Sequence, residues 1–341
     1  MLMIMKKITL SNILYFFCLI IFLSVLYAPN TSAHVKWFVD TETASVENFQ
    51  AYHLFDLPVL VWIGVMLVAI LLSIILDMKL PVIRIADSKT RHDFIEIMRI
   101  FTGMSLLLTA YEGALLAPHL LAHGPVGIVM VFLQAVIGIM LIGNRFIKYA
   151  ALMMFILFLG VIIQFGFLSA LEYSNVLGIG LFLLFNHLSG SDLSERIKTY
   201  SVDTLRIFTG ISLATLGVTE KLTGAVYGQT FLADYQWNFM QLLGFDLFDD
   251  RLLVLSAGMS EVILGLVLIL GTTTRLTMLA ISGLMLTSNI VFIIQGNNDA
   301  ALKEFVGHLP IIGSALVLIL LGYGQRFKIT NLWKSIPTKS T

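Results

Sequence analysis

Glu261 falls midway along the apolar run from Leu252 to Gly271, and Glu304 and His308 stand four apart at the start of the run that ends near Gly322. An ionised carboxylate at the centre of a bilayer costs at least about 2.5 kcal/mol. Glu261 must therefore face the interior of a helical bundle or carry a proton, and a carboxyl group held so can take up and release protons for a bound molecule. The alternative is a neutral Glu that hydrogen-bonds a neighbouring helix and serves packing alone; Asn289 is a partner within reach in either case. Glu304 and His308, at i and i+4, project from one face of a helix. Such a pair can pass a proton or hold a metal, or sit wetted by headgroups at a helix end. Glu220 adds a carboxylate, with Lys221 beside it as the material of an interfacial ion pair.

A second constellation is made of imidazoles. In "APHLLAHGP", His119 and His123 are four apart on a short connection, and His34 would become the first residue of the chain if residues 1–33 are removed. An amino-terminal histidine chelates copper through its α-amino nitrogen and a ring nitrogen, and a further imidazole completes a copper-type site. The amine is partly neutral near pH 7, its reference pKa being about 7.7 to 8.0. Histidines on an outer connection equally serve no metal. The premise of removal is itself legible: Lys6 and Lys7 precede the apolar core Ile13 to Ala28, and Thr31-Ser32-Ala33 supplies small residues for a signal peptidase. Cleavage there would take away Cys18, the one cysteine, and with it all thiol chemistry.

The elements that must position these residues follow from composition. With 58% hydrophobic and 12% charged residues and a mean hydropathy of +0.92, the chain has too little polar surface to cover a water-soluble globule. The apolar residues come in runs of about 18 to 22, the length of a membrane-crossing helix, and not in the shorter alternating strands of an outer-membrane barrel. Nine membrane helices are expected, near 57–77, 94–114, 125–143, 147–168, 173–187, 203–222, 252–271, 273–295 and 304–322. The connections holding Lys79, Arg84, Lys89, Arg91, Arg145, Lys148, Arg196, Lys198 and Arg275 and the tail from Arg326 all fall on one side. By the positive-inside rule that side is cytoplasmic, so a bacterial inner-membrane protein with a periplasmic mature amino terminus is expected. The net charge is zero, which leaves no nucleic-acid footprint. The stretch 223–250 carries Tyr227, Phe231, Tyr235, Trp237 and Phe239, and suits a segment lying in the headgroup layer, as an anchor or as an aromatic lid over a quinone-sized pocket.

The pentapeptide RIFTG occurs at Arg99–Gly103 and again at Arg206–Gly210. After it, Gln134 aligns with Glu261 and Gly138 with Gly265, then Gln164 with Gln295 and Glu172 with Glu304. Ordered landmarks of this kind indicate a tandem duplication. Four helices per copy bring each copy back to its starting side, so the copies are parallel. The expected architecture is all-α: signal peptide 1–33, a periplasmic segment 34–56, an extra transmembrane helix 57–77, four-helix bundles at 94–187 and 203–325, and a cytoplasmic tail 326–341.

The second copy, through "LRIFTGISLATLGVTEKL", Glu261-x3-Gly265-x5-Gly271-x3-Arg275 and "LILLGYG", resembles the DoxX-like family of small four-helix membrane proteins; the first copy resembles it more faintly. The resemblance implies a four-helix membrane unit and a role beside a quinone-linked redox system. Two bundles, an extra helix and no mature cysteine depart from that pattern. Three functions stay open: an accessory or subunit of a quinone-linked redox system, in which Glu261, Glu304 and His308 work on protons and Glu220, Trp237 and Asn289 border the bound group; a copper-binding or copper-delivery protein using His34, His119 and His123; and a scaffold for partner membrane or periplasmic redox proteins in the lipid bilayer.

Overall fold

The computed structural model describes residues 37–39, 44, 49–82, 88–188, 190, 192–322 and 325–334. The expected signal peptide and His34 lie outside the described residues. The described chain is helical: α1 Leu57–Lys79, α2 Ser88–Tyr111, α3 Gly124–Ile142, α4 Ile147–Phe165, α5 Phe167–Glu172, α6 Ser174–His187, α7 Asp192–Lys198 and α8 Ser201–Leu216, which continues as a π-helical turn Gly217–Leu222. Then come α9 Ala225–Tyr235, α10 Phe239–Leu242, α11 Asp250–Leu270, α12 Thr274–Ile294, α13 Asn298–Leu321 and α14 Ile329–Lys334.

Seven of these helices among the described residues, α1, α2, α3, α4, α11, α12 and α13, are long and apolar enough to cross a membrane. The chain is a multi-pass membrane protein. Helix starts and stops follow local chemistry. Asp249 and Asn297 cap α11 and α13 by accepting from the backbone N–H groups of Leu252 and Ala300. The short α3–α4 and α11–α12 connections turn the same way: Asn144 and Phe146 in one, Gly271 and Thr273 in the other, all take positive φ.

Neighbouring helices close into a ring in the order α2, α3, α4, α6, α8, α11, α12, α13 and back to α2. Helix α1 lies outside this ring against α11, and Ser73 is its one buried residue, so nearly its whole apolar surface is left to lipid. The expected pair of self-contained bundles is therefore modified. The last helix of each half, α6 and α13, packs chiefly on the first helix of the other half, α8 and α2. Small residues permit it: a Cβ on Gly178 would stand 2.7 Å from Cβ of Phe208, and one on Gly313 would stand 2.8 Å from Cα of Met98. A single continuous apolar core, from Met98 and Leu106 through Phe182 to Leu268 and Leu318, runs through both halves.

Within each half, the first two helices meet in matching ways. A Cβ on Gly103 would lie 2.9 Å from the carbonyl oxygen of Gly138, and one on Gly210 would lie 2.7 Å from that of Gly265, so only glycine lets these backbones touch. Arg99 donates to the carbonyl of Ile142 at 3.2 Å and pairs with Glu96. Arg206 donates to the carbonyl of Ile269 at 2.8 Å, to that of Leu268, and faces Asp203 at 3.4 Å. Thr102 and Thr209 each return their hydroxyl to a carbonyl four residues back. The repeated RIFTG is thus a packing device: arginine ties off the last carbonyls of the adjacent helix, which have no intrahelical donor, and glycine admits its backbone.

Candidate functional site

The π-helical turn that prolongs α8 sets the site. Helical segments with i→i+5 bonding are rare and concentrate at functional positions, and this one carries Glu220 and Lys221 toward α11. Gly258 makes room, since a Cβ there would come within 2.8 Å of Cβ of Lys221. The Lys221 ammonium lies 3.1 Å from Glu220 Oε2 and 2.9 Å from Glu261 Oε1. The side chains are 14% exposed for Lys221, 1% for Glu220 and 23% for Glu261. One ammonium thus faces two carboxylates in a low-dielectric interior.

One sequence expectation changes here. The partner of Glu261 is Lys221 and not Asn289, whose amide instead donates to the carbonyl of Met285 on its own helix at 3.4 Å. The Glu220–Lys221 pair forms as expected, with Glu220 buried and Lys221 shared with Glu261. The position aligned with Glu261 in the first half behaves differently. Gln134 is fully buried, reaches the carbonyls of Leu106 and Ala114 and the Thr109 hydroxyl at 3.1, 3.1 and 2.8 Å, and accepts from Leu116 N at 2.9 Å. It is a neutral strut, saturated by its own neighbourhood.

Glu304 and His308 share one face of α13, with Nδ1 of His308 3.8 Å from Oε1 of Glu304. Both are buried, so the headgroup-wetted reading does not apply, and Glu304 also accepts from the Ser288 hydroxyl of α12. Trp37 packs against them. Its indole lies 5.4 Å from the His308 ring, over the bare backbone of Gly307, and its carbonyl accepts from Lys303. The next residue, Phe38, sits among Phe231, Tyr235 and Phe292, with ring centroids 5.7, 5.8 and 5.3 Å away.

Trp237 joins a small cluster with Phe231, Phe239, Leu232 and Leu253 at the end of α11. The helix Ala225–Tyr235 that carries Phe231 and Leu232 packs against both α11 and the π-helical turn. The imidazoles diverge: the His119 ring is turned inward against Tyr173, with both nitrogens enclosed, whereas His123 is exposed beside Phe165. Among the described residues no three His, Cys, Asp or Glu side chains gather as a metal would require.

A small cavity lies where the two halves meet. Glu172, Tyr173, Asn175 and Val176 from the α5–α6 corner, Ser212 and Leu216 from α8, Gly307, Pro310 and Ile311 from α13, and Leu116 form its wall. It has room for about one water molecule, so a quinone ring does not fit it. Lys221, Trp37, Tyr173 and Ser288 are the site residues that sequence reasoning passed over or assigned to lesser roles. Only Lys221 carried a signal, as a cation near the end of the apolar run that follows Arg206.

No family model, no curated protein and no solved structure matches this chain.

Proposed function

We propose that the chain is a bacterial inner-membrane protein built from two DoxX-like four-helix units. In this reading its second unit holds a proton-handling centre serving a quinone-linked redox system, as an accessory or subunit. The matched RIFTG contacts and the matched turns after α3 and α11 support the duplication. The excess of basic residues at one end supports a cytoplasmic tail and a periplasmic start, with residues 1–33 removed as a signal peptide.

The observation that carries the functional reading is the Lys221 ammonium shared between Glu220 and Glu261. The aligned place in the first half, where Gln134 stands, cannot titrate. A bridging ammonium holds two carboxylates at hydrogen-bond distance, so a proton taken up by either redistributes the charge of all three. In this reading the chain contributes proton uptake or release to the redox system.

Infrared difference spectra of the purified protein in lipid nanodiscs, acid minus alkaline, test the reading. A protonated-carboxyl band that titrates in the wild type should vanish in Glu261→Gln, and quinone-dependent turnover of membranes carrying that variant should fall. A wild-type spectrum without a titrating carboxyl, or full turnover in Glu261→Gln, would overturn it.

A further inference from the structure

Two turns that each precede a membrane helix hold large apolar side chains in the open. Before α1, Phe55 is 83% exposed, and before α11, Leu247 is 91% exposed; Leu54, Leu243 and Phe245 are exposed with them. Both turns lie at the end of the molecule opposite the tail, because Arg206 ties Phe327 to the far end of α11. Neither turn is slack. His53 N–H donates to Asp56 Oδ2 at 2.9 Å and Asp56 N–H to the carbonyl of His53 at 3.0 Å, which closes the first turn with Leu54 and Phe55 at its tip. Arg251 fastens it to α11: it donates to the carbonyl of Ala51 at 2.8 Å, lies 3.5 Å from Asp56 and covers the Tyr52 ring at 3.6 Å.

The second turn is stapled at its base by Asn238, which is buried. Its amide donates to the carbonyl of Phe248 at 2.9 Å and to Asp250 Oδ1 at 2.7 Å, and its oxygen accepts from Gln241 N–H at 3.3 Å. Trp237, Phe239 and Phe248 pack beneath it against Leu253. Through Asp250 and Arg251, both turns are therefore fixed to the first turn of α11. Apolar side chains exposed on a fixed backbone and rimmed by polar groups mark an interaction site, and the ordering cost of binding is already met. Charge narrows the occupant. Residues 223–250 hold four aspartates, Asp234, Asp246, Asp249 and Asp250, and no lysine or arginine. A segment seated among lipid headgroups carries the opposite composition, with basic residues beside its apolar face. A second copy of the chain would set these aspartates against their own kind.

We propose that the turns at 53–56 and 243–248 form one docking surface for a partner protein whose contact face is an apolar groove edged by lysine and arginine. Phe55, Phe245 and Leu247 enter the groove, and the exposed carboxylates of Asp234 and Asp246 meet its basic edge. The partner approaches from the side of the membrane opposite the tail. This surface does not depend on the Lys221 centre, so the failure of either reading leaves the other in place.

The experiment sets a photoreactive phenylalanine in place of Leu247 in the full chain, in the membranes of its own cells, with and without Asp234→Lys and Asp246→Lys together. Illumination should give an adduct with a protein whose attached peptide carries lysine or arginine beside apolar residues. Its yield should fall about tenfold or more in the charge-reversed chain, where like charges face each other. With the photoreactive residue in place of Phe55 instead, Phe245→Ser and Leu247→Ser together should lower the yield as far. The side chains changed are exposed, so every variant should melt with the wild type. An adduct with lipid alone would overturn the proposal in favour of a segment seated in the bilayer, and an adduct with a second copy in favour of a dimer. No adduct, a yield indifferent to charge reversal, or variants that melt well below the wild type would each overturn it as well.

Discussion

Lys221 and Glu261, forty residues apart, meet at 2.9 Å and pin the π-helical end of α8 to the middle of α11. Removing one member of such a buried pair strands the other. Lys221→Met should therefore destabilise the protein by about 3 to 5 kcal/mol, read as a large drop in the thermal transition of the detergent-solubilised protein. The double variant Lys221→Met with Glu261→Gln should recover much of that loss. If the single and double variants melt together, the pair does not carry the stability assigned to it.

Backbone contact between α8 and α11 predicts a sharp contrast among glycines. Gly265→Val would drive a side chain into the carbonyl oxygen of Gly210, which stands 2.7 Å from any added Cβ, and should cost about 1 to 3 kcal/mol or more. Gly283 on α12 has nothing within 4 Å of its Cβ position, so Gly283→Ala should leave the melting temperature unchanged or raise it slightly. Equal effects at the two positions would contradict the packing of the ring.

Arg206 also holds the tail. It donates to the carbonyl of Phe327 at 2.6 Å, while Asp203 accepts from the N–H groups of Arg326 and Phe327, each at 3.0 Å. Arg206→Ala should free this segment, and limited trypsin digestion should then cut at Arg326 and Lys328, sites resistant in the wild type. Arg99→Ala, whose partners Glu96 and Ile142 lie far from the tail in the chain, should leave the tail protected. Tail cleavage at the same rate in wild type and Arg206→Ala would refute the clasp.

Trp37, 4% exposed, depends on the missing side chain of Gly307. Gly307→Val should expel the indole from the face of His308 and shift part of the tryptophan fluorescence toward the emission of a wetter environment. The shift should be absent when Trp37 has first been replaced by Phe. A shift that persists in the Trp37→Phe background would place its origin in another of the four tryptophans.

The sequence by itself determined the helices, because a run of apolar residues long enough to cross a bilayer can satisfy its backbone only within itself. It also singled out Glu261, Glu304 and His308, since the cost of a polar group among apolar neighbours is a local property. The paired RIFTG segments aligned their helices in advance, and the contacts of Gly103 with Gly138 and of Gly210 with Gly265 follow that alignment. What only the tertiary structure decided was who meets whom. Helix faces that are apolar all round, as on α1 and α12, give no sequence signal for their partners, so nothing marked that α13 would lie on α2 and α6 on α8. Asn289 looked as available to Glu261 as any neighbour, but the π-helical turn, a backbone choice invisible to composition, delivered Lys221 instead. Trp37 reached Gly307 across 270 residues of chain. Local chemistry writes the elements and the costs, whereas the pairing of distant groups is settled only when the helices choose their neighbours by shape.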